Sequence, residues 1–302
     1  LEFEIWGFGI WDFGIWDFDF MYPFRLGTTS YIIPDDILPN ARFLADKVDD
    51  IELILFEVDD GPNNLPSPET IAGLAGLAAS HGLTFTVHLP LDLRLGAGGD
   101  EGHISLVKAK RVIDCTRALG PWAYVLHLDG REVRIGATPD QLATWQSHSA
   151  HALELAAGWA GGPDKLAVEN LESYPLDFIM PVIDRVPVSR CVDVGHLWLD
   201  GHDPLPYLQA ALPRTRVVHL HGIAERDHKS LAHAPPEKLN PVVELLLREN
   251  YRGVLTLEIF GEDDFNSSLA ALEKSAREVK RETTSIVVCR FSFDVESLCP
   301  KS

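Results

Sequence analysis

Residues 215–230, Thr-Arg-Val-Val-His-Leu-His-Gly-Ile-Ala-Glu-Arg-Asp-His-Lys-Ser, decide how the rest of the chain is read. A short β-branched run (Val217, Val218) ends in His219 and His221, and the loop beyond it carries Asp227 and His228. An apolar strand has little reason to finish in imidazoles unless ligands or proton carriers are needed there. Backbone carbonyls can satisfy one such pair. The same kind of ending recurs on other strands of this chain, and the recurrence carries the reading.

Working outward, short apolar runs alternate with amphipathic or Ala/Leu-rich segments, the pattern of repeated βα units on a parallel sheet. Strands are expected at 24–31, 51–58, 84–87, 123–126, 165–168, 189–192, in the opening stretch, and at 254–257. Ser67-Pro68-Glu69 places an N-cap before a proline at the first helical position, so a helix is expected from there to His81-Gly82. Another runs from Thr138-Pro139 to about Trp159, where Gly161-Gly162-Pro163 breaks it. The last convincing helix places Leu269, Leu272, Ala276 and Val279 on one side. Gly96, Gly98, Gly99 and Gly102 match no phosphate-cradling pattern and read as a mobile loop over a site. The sum is eight strands and eight helical segments.

The expected strand ends are His88, His127, Glu169, Asp193 with His196, His219 or His221, and Glu258, with His228 in the loop after strand seven. The second strand is expected to end in Glu57, Asp59 and Asp60. A doubly wound open sheet would draw on two or three strand ends at one switch point. Polar residues closing strands three through eight require a closed ring instead. The fold class is therefore α/β, a single (β/α)8 TIM barrel with its site at the C-terminal ends of the strands.

The bulk numbers agree. The 302 residues, 46% of them hydrophobic, suffice for one large core, and barrels of ~250 residues are single domains. A net charge of −19 disfavours nucleic acid, whose binders display a basic face. Cys115, Cys191, Cys289 and Cys299 form no Cys-x-x-Cys pair and read as reduced thiols of a cytoplasmic protein. No apolar stretch reaches the ~20 residues of a membrane span. Residues 1–20 repeat Gly-Ile-Trp-Asp-Phe at 9–13 and 14–18 just before Met21, which reads as a non-native extension translated from an upstream start. The barrel domain is expected over 21–280. The tail 281–302, with a β-like run at 285–289, stays unassigned.

Imidazole and carboxylate together suit zinc, manganese, iron or cobalt better than calcium or magnesium. Eight candidate ligands exceed the needs of one ion. Carboxylates packed this closely stay ionised only with cations between them. His148, His151, His202 and His233 lie off strand ends and read as surface residues.

The order His, His, Glu, Asp-x-x-His, His, loop His, Glu on successive strands resembles the xylose-isomerase-like barrel superfamily, and most of all its zinc-dependent apurinic-endonuclease branch. That resemblance puts His88, His127 and Glu169 around a first metal, with Glu169 bridging to a second held by Asp193, His219 and Glu258. His196 and His228 would hold a third. The endonuclease pattern has an aspartate two positions before the loop histidine, where this chain has Arg226, so Asp227 would have to substitute. Superfamily isomerases and epimerases keep only Glu169, Asp193, His219 and Glu258, so the extra histidines favour hydrolysis.

Within the superfamily, Tyr-Pro-Phe-Arg-Leu-Gly-Thr-Thr-Ser-Tyr at 22–31, Val-Asp-Val-Gly-His-Leu-Trp at 192–198, Val-Val-His-Leu-His-Gly at 217–222, Arg-Asp-His-Lys-Ser-Leu at 226–231 and Leu-Thr-Leu-Glu at 255–258 are similar to the cobamide-remodelling phosphodiesterases. The resemblance implies cleavage of the nucleotide loop of B12-type cofactors, giving cobinamide phosphate and the lower-ligand riboside. It implies one to three divalent ions per chain, zinc or manganese/cobalt, and a corrinoid phosphodiester as partner without nucleic acid or membrane. Glu169 and Glu258 would relay protons, Asp227 would orient or ligate, and Arg25, Arg226 and His221 would contact substrate. The alternatives are a one-metal sugar or hydroxy-ketone isomerase or epimerase, and a corrinoid-binding module without turnover.

Overall fold

Val217 and Val218 face opposite sides of one strand, as successive strand residues must. Val217 packs inside the ring with Ala123, Val125, Ala167 and Cys191, whereas Val218 joins the core between strands and helices. In the computed structural model, residues 22–57 and 63–296 are described, with 282–296 described by backbone alone. The extension 1–20, the pair Asp59 and Asp60, and residues 297–302 lie outside them.

The strands are β1 (Arg25–Thr29), β2 (Asp50–Ile54), β3 (Thr84–His88), β4 (Tyr124–His127), β5 (Leu166–Glu169), β6 (Ser189–Asp193), β7 (Thr215–Leu220) and β8 (Val254–Leu257). All pairs are parallel and follow chain order, and β1 closes on β8 through Arg25↔Val254 to Thr28↔Leu257. The structure is the closed (β/α)8 barrel expected.

The helices start where local chemistry dictates. On α2 (Pro68–His81) the Ser67 hydroxyl accepts the Thr70 N–H at 3.2 Å, and Gly82 ends the helix at φ 70°. On α4 (Pro139–Ala160) Thr138 and Gln141 form a reciprocal capping box. The other helices are α1 (Ile37–Leu44), α3 (Ile104–Thr116), α5 (Met180–Ile183), α6 (Val194–Leu199), α7 (Pro204–Ala211), α8 (Pro236–Arg248) and α9 (Glu262–Glu296). The expected eight helical segments become nine α-helices among the described residues, because β6 runs straight into α6 before α7 begins.

Two expectations are corrected, and the glycine loop gains a packing role. β2 stops at Ile54, and Glu57 lies beyond it, itself buried and paired with the exposed Arg111. The run 285–289 is helical, the backbone of α9 continuing through it. Gly96 and Gly98 serve close packing: a Cβ there would sit 2.3 Å from the Trp145 ring and 2.5 Å from the His103 ring. Among the described residues, no helix is long and apolar enough to cross a membrane.

Candidate metal centre

The period of two that buries Val125, Ala167, Cys191 and Val217 inside the ring carries His127, Glu169, Asp193 and His219, each two residues on, to the same inner side. Register aligns them: His127 pairs with Glu169 across β4 and β5, and Asp193 with His219 across β6 and β7. The strand ends therefore form one buried cup.

Glu169 stands at its centre, 1% exposed. Its Oε2 lies 3.3 Å from His88 Nε2 and 3.1 Å from His127 Nε2, and its Oε1 lies 3.6 Å from His219 Nδ1. His219 Nδ1 is also 3.1 Å from Glu258 Oε2 and 3.9 Å from Asp193 Oδ2. His88, His127 and Glu169 bring one donor atom each within 4.8 Å of one another, and so do Glu169, Asp193, His219 and Glu258. Asp193 Oδ2, His219 Nδ1 and Glu258 Oε2 are buried and form no hydrogen bond. Buried lone pairs without partners are costly unless something fills the space between them. This donor set fits divalent zinc, manganese or cobalt.

Buried acids and imidazoles in the cup shift one another strongly. Burial pushes the Glu169 carboxyl up, but His219 and His127 more than reverse this and hold it well below its ordinary value. Glu258 is likewise held low, against burial, by His219 and His228. Burial lowers His219, while neighbouring acidic groups raise it well above the ordinary imidazole range. A divalent cation would displace such protons.

Strand periodicity also exposes a residue that the strand-end pattern missed. Glu52 lies mid-strand on β2, fully buried, and its Oε2 is 3.0 Å from His219 Nε2 and accepts from Thr256 Oγ1 at 3.2 Å. With the proton on Nε2, Glu52 orients the imidazole so that Nδ1 faces the cup. The available signal was an acid inside the apolar run Ile51-Glu52-Leu53-Ile54.

Asp193 divides its oxygens. Oδ1 accepts the His196 N–H at 2.6 Å and caps α6, which leaves Oδ2 for the cup. Capping places His196 on the first turn of α6, 5.8 Å ring to ring from His221 and 5.9 Å from His228. His228 sits in the left-handed region at φ 52°, in a loop closed by the Gly222–Lys229 backbone pair. Asp227 Oδ2 is 3.3 Å from His228 Nδ1, on the side away from Glu258, which is 3.3 Å from Nε2.

The residues expected to contact substrate separate. Arg226 is exposed in the β7–α8 loop. His221 is fully buried against His196 and His228. Arg25 is a correction: it opens β1 at the far end of the barrel, where its guanidinium donates to the Thr84 hydroxyl and to the carbonyls of Asp49 and Gly82. A residue at the start of a strand cannot reach a site at the ends. At the mouth, Asp129 joins three loops, accepting from Arg131 and from the Tyr174 hydroxyl at 2.6 Å and pairing with Arg94 at 3.3 Å.

A family model described as xylose isomerase-like TIM barrel matches residues 45–282. No curated protein matches the chain. Among solved structures, a D-tagatose 3-epimerase-like protein is 18% identical, with 86% of this chain and 99% of that one covered at a TM-score of 0.68. The 3-keto-D-glucoside 4-epimerase from E. coli is 17% identical, covering 85% and 99% at 0.62. Endonuclease IV from Thermus thermophilus is 19% identical, covering 84% and 99% at 0.60. Identities this low speak for the fold alone. With the matched model spanning most of its length, the chain belongs to the xylose isomerase-like TIM barrel family.

Proposed function

We propose that the chain is a metal-dependent phosphodiesterase whose substrate is the nucleotide loop of a cobamide, released as cobinamide phosphate and the lower-ligand riboside. The observation that supports hydrolysis is the imidazole pair His88 and His127, converging on Glu169 beside the quartet of Glu169, Asp193, His219 and Glu258. The quartet by itself suffices to hold one ion. Donors beyond it suit more than one, and paired cations supply a nucleophilic hydroxide near neutral pH and neutralise phosphoryl charge.

The chain's own residues divide the remaining work. Glu169 presents one oxygen to His88 and His127 and the other toward His219, the disposition of a bridging carboxylate. Glu258, between His219 and His228, would take and return the proton of the attacking water. Arg226 is free to meet an anionic substrate from the loop. The net charge of −19 opposes a long polyanion and is compatible with a small phosphodiester. The corrinoid rests on the resemblance of the quoted strings.

A second reading is favoured by the completeness of the quartet: a one-ion epimerase or isomerase in which Glu169 and Glu258 move the proton. The deciding experiment incubates the metal-loaded protein with a panel of phosphodiesters, coenzyme B12 included, and with ketoses, and identifies products by mass spectrometry. Cleaved phosphodiester supports the first reading. Epimerised sugar with intact phosphodiesters overturns it.

A further inference from the structure

His196, His221 and His228 form a group apart from the quartet, with one ring nitrogen from each within 4.8 Å of the others. Its members are all imidazoles, and carboxylate oxygens stand beside each: Glu172 at 3.6 Å from His196 Nε2, Asp193 at 3.4 Å from His221 Nε2 and Glu258 at 3.3 Å from His228 Nε2. Asp227 faces the Nδ1 side of His228, and Arg226, next to it, is exposed. His221 is built into place: a Cβ on Gly195 would lie 2.2 Å from its ring, so α6 can pass His221 only with glycine there. Its ring stacks on His228 at 4.4 Å, and its Nε2 is buried without a hydrogen bond.

The outer nitrogens show how these rings are held. His196 Nδ1 lies 3.1 Å from the Asn170 carbonyl, and His221 Nδ1 lies 3.2 Å from the Gly222 carbonyl. His88, in the cup, has the same arrangement with the Leu89 carbonyl at 2.7 Å. A proton on Nδ1 given to a backbone carbonyl leaves Nε2 as a lone-pair donor, the usual bond that orients a metal-ligating histidine. The other His221 tautomer would accept the His228 N–H at 3.1 Å and turn an Nε2 proton toward Asp193 Oδ1 at 3.4 Å. The two tautomers make opposite demands on a cation.

We infer that His196, His221 and His228 form a three-imidazole site for a zinc-like divalent ion, with His221 as a full ligand and not a substrate contact. The inference rests on reading the barrel mouth as a metal centre and deepens that reading. Three neutral ligands leave a tetrahedral ion one further position, with the neighbouring Glu172, Asp193 and Glu258 carboxylates offsetting only part of its charge. That position suits an anionic oxygen, such as one on a phosphoryl group.

The test loads the full chain with zinc or cobalt(II), desalts it, and measures ions per chain by mass spectrometry together with the cobalt visible spectrum. His196→Ala, His221→Ala and His228→Ala should each lose one ion relative to wild type, and the double variant His221→Ala/His228→Ala no more than one. Gly195→Ala, which keeps the imidazole but displaces it, should lose the same ion. Melting followed by circular dichroism identifies any variant that fails to fold, and the remaining variants then carry the test. A His221→Ala protein with the wild-type ion count and cobalt spectrum, beside a His228→Ala protein lacking one ion, overturns the assignment. A fully loaded wild type that cleaves no phosphodiester defeats the proposed function and leaves the site standing.

Discussion

Glu52 Oε2 and His219 Nε2 meet at 3.0 Å across 167 positions of sequence, with both side chains fully buried. The contact ties the middle layer of the barrel to the ring of strand-end donors above it. An orienting carboxylate of this kind fixes the ring and its tautomer without touching substrate. Glu52→Gln preserves shape and should weaken metal binding by about 10–100-fold, the usual cost of losing such a partner. A competition titration against a zinc chelator measures it. Unchanged affinity would mean that His219 is held by its strand alone.

One layer lower, Asp50 carries a pH dependence separate from the metal centre. Burial pushes its carboxyl up to about 6 from 3.8, although Thr84 and Thr86 donate to it. A raised acid makes folding more favourable below pH 3.8, and that contribution is lost as pH rises through 6. Asp50→Asn keeps donors and acceptors in reach and removes the titration. In urea unfolding, the variant should gain on wild type by about 3 kcal/mol between pH 3 and pH 8, at ~1.4 kcal/mol per unit. A constant difference across that range would reject the account.

The barrel and its upper ring were legible because strand periodicity and strand-end polarity point the same way at His127, Glu169, Asp193, His219 and Glu258. Glu52 was not, because a single acid inside an apolar run carries no sign of the face it takes. The close fit of the His221 ring over Gly195 was not legible either, because the two residues belong to different βα units. The six residues of α6 are too few to show a helical period, and only the cap from Asp193 reveals them. The β-branched run at 286–288 suggests a strand, yet in a helix already started such residues cost only fractions of a kcal/mol each, less than ~0.7.

Arg25 and Arg226 separate stability from catalysis. Arg25 is tied to β3 and to two carbonyls at the closed end, so Arg25→Ala should lower unfolding free energy by about 1–3 kcal/mol. Its turnover per folded molecule should stay at the wild-type level. Arg226→Ala, in an exposed loop, should shift stability by less than ~0.5 kcal/mol. If the loop meets the substrate anion, KM rises with kcat retained. Parallel melting curves and steady-state kinetics decide, and a KM defect in Arg25→Ala would contradict its placement.

Removing metal should be felt by the fold as well as by the chemistry. Asp193 Oδ2, His219 Nδ1 and Glu258 Oε2 face one another in the cup, and a bound cation stabilises only the folded chain that gathers them. Linkage then sets the gain at about 2.7 kcal/mol when free metal is 100 times its dissociation constant. Dialysis against a chelator should lower the melting temperature, and zinc, manganese or cobalt should restore it in proportion to the logarithm of concentration. Magnesium should restore little, because imidazole nitrogens are poor ligands for it. In Glu258→Ala, which removes a quartet ligand, the restoring response should shift to higher zinc concentration. Differential scanning calorimetry with and without chelator gives the answer directly: a melting temperature indifferent to chelator, with no metal retained on the untreated chain, would leave the cup without its ions.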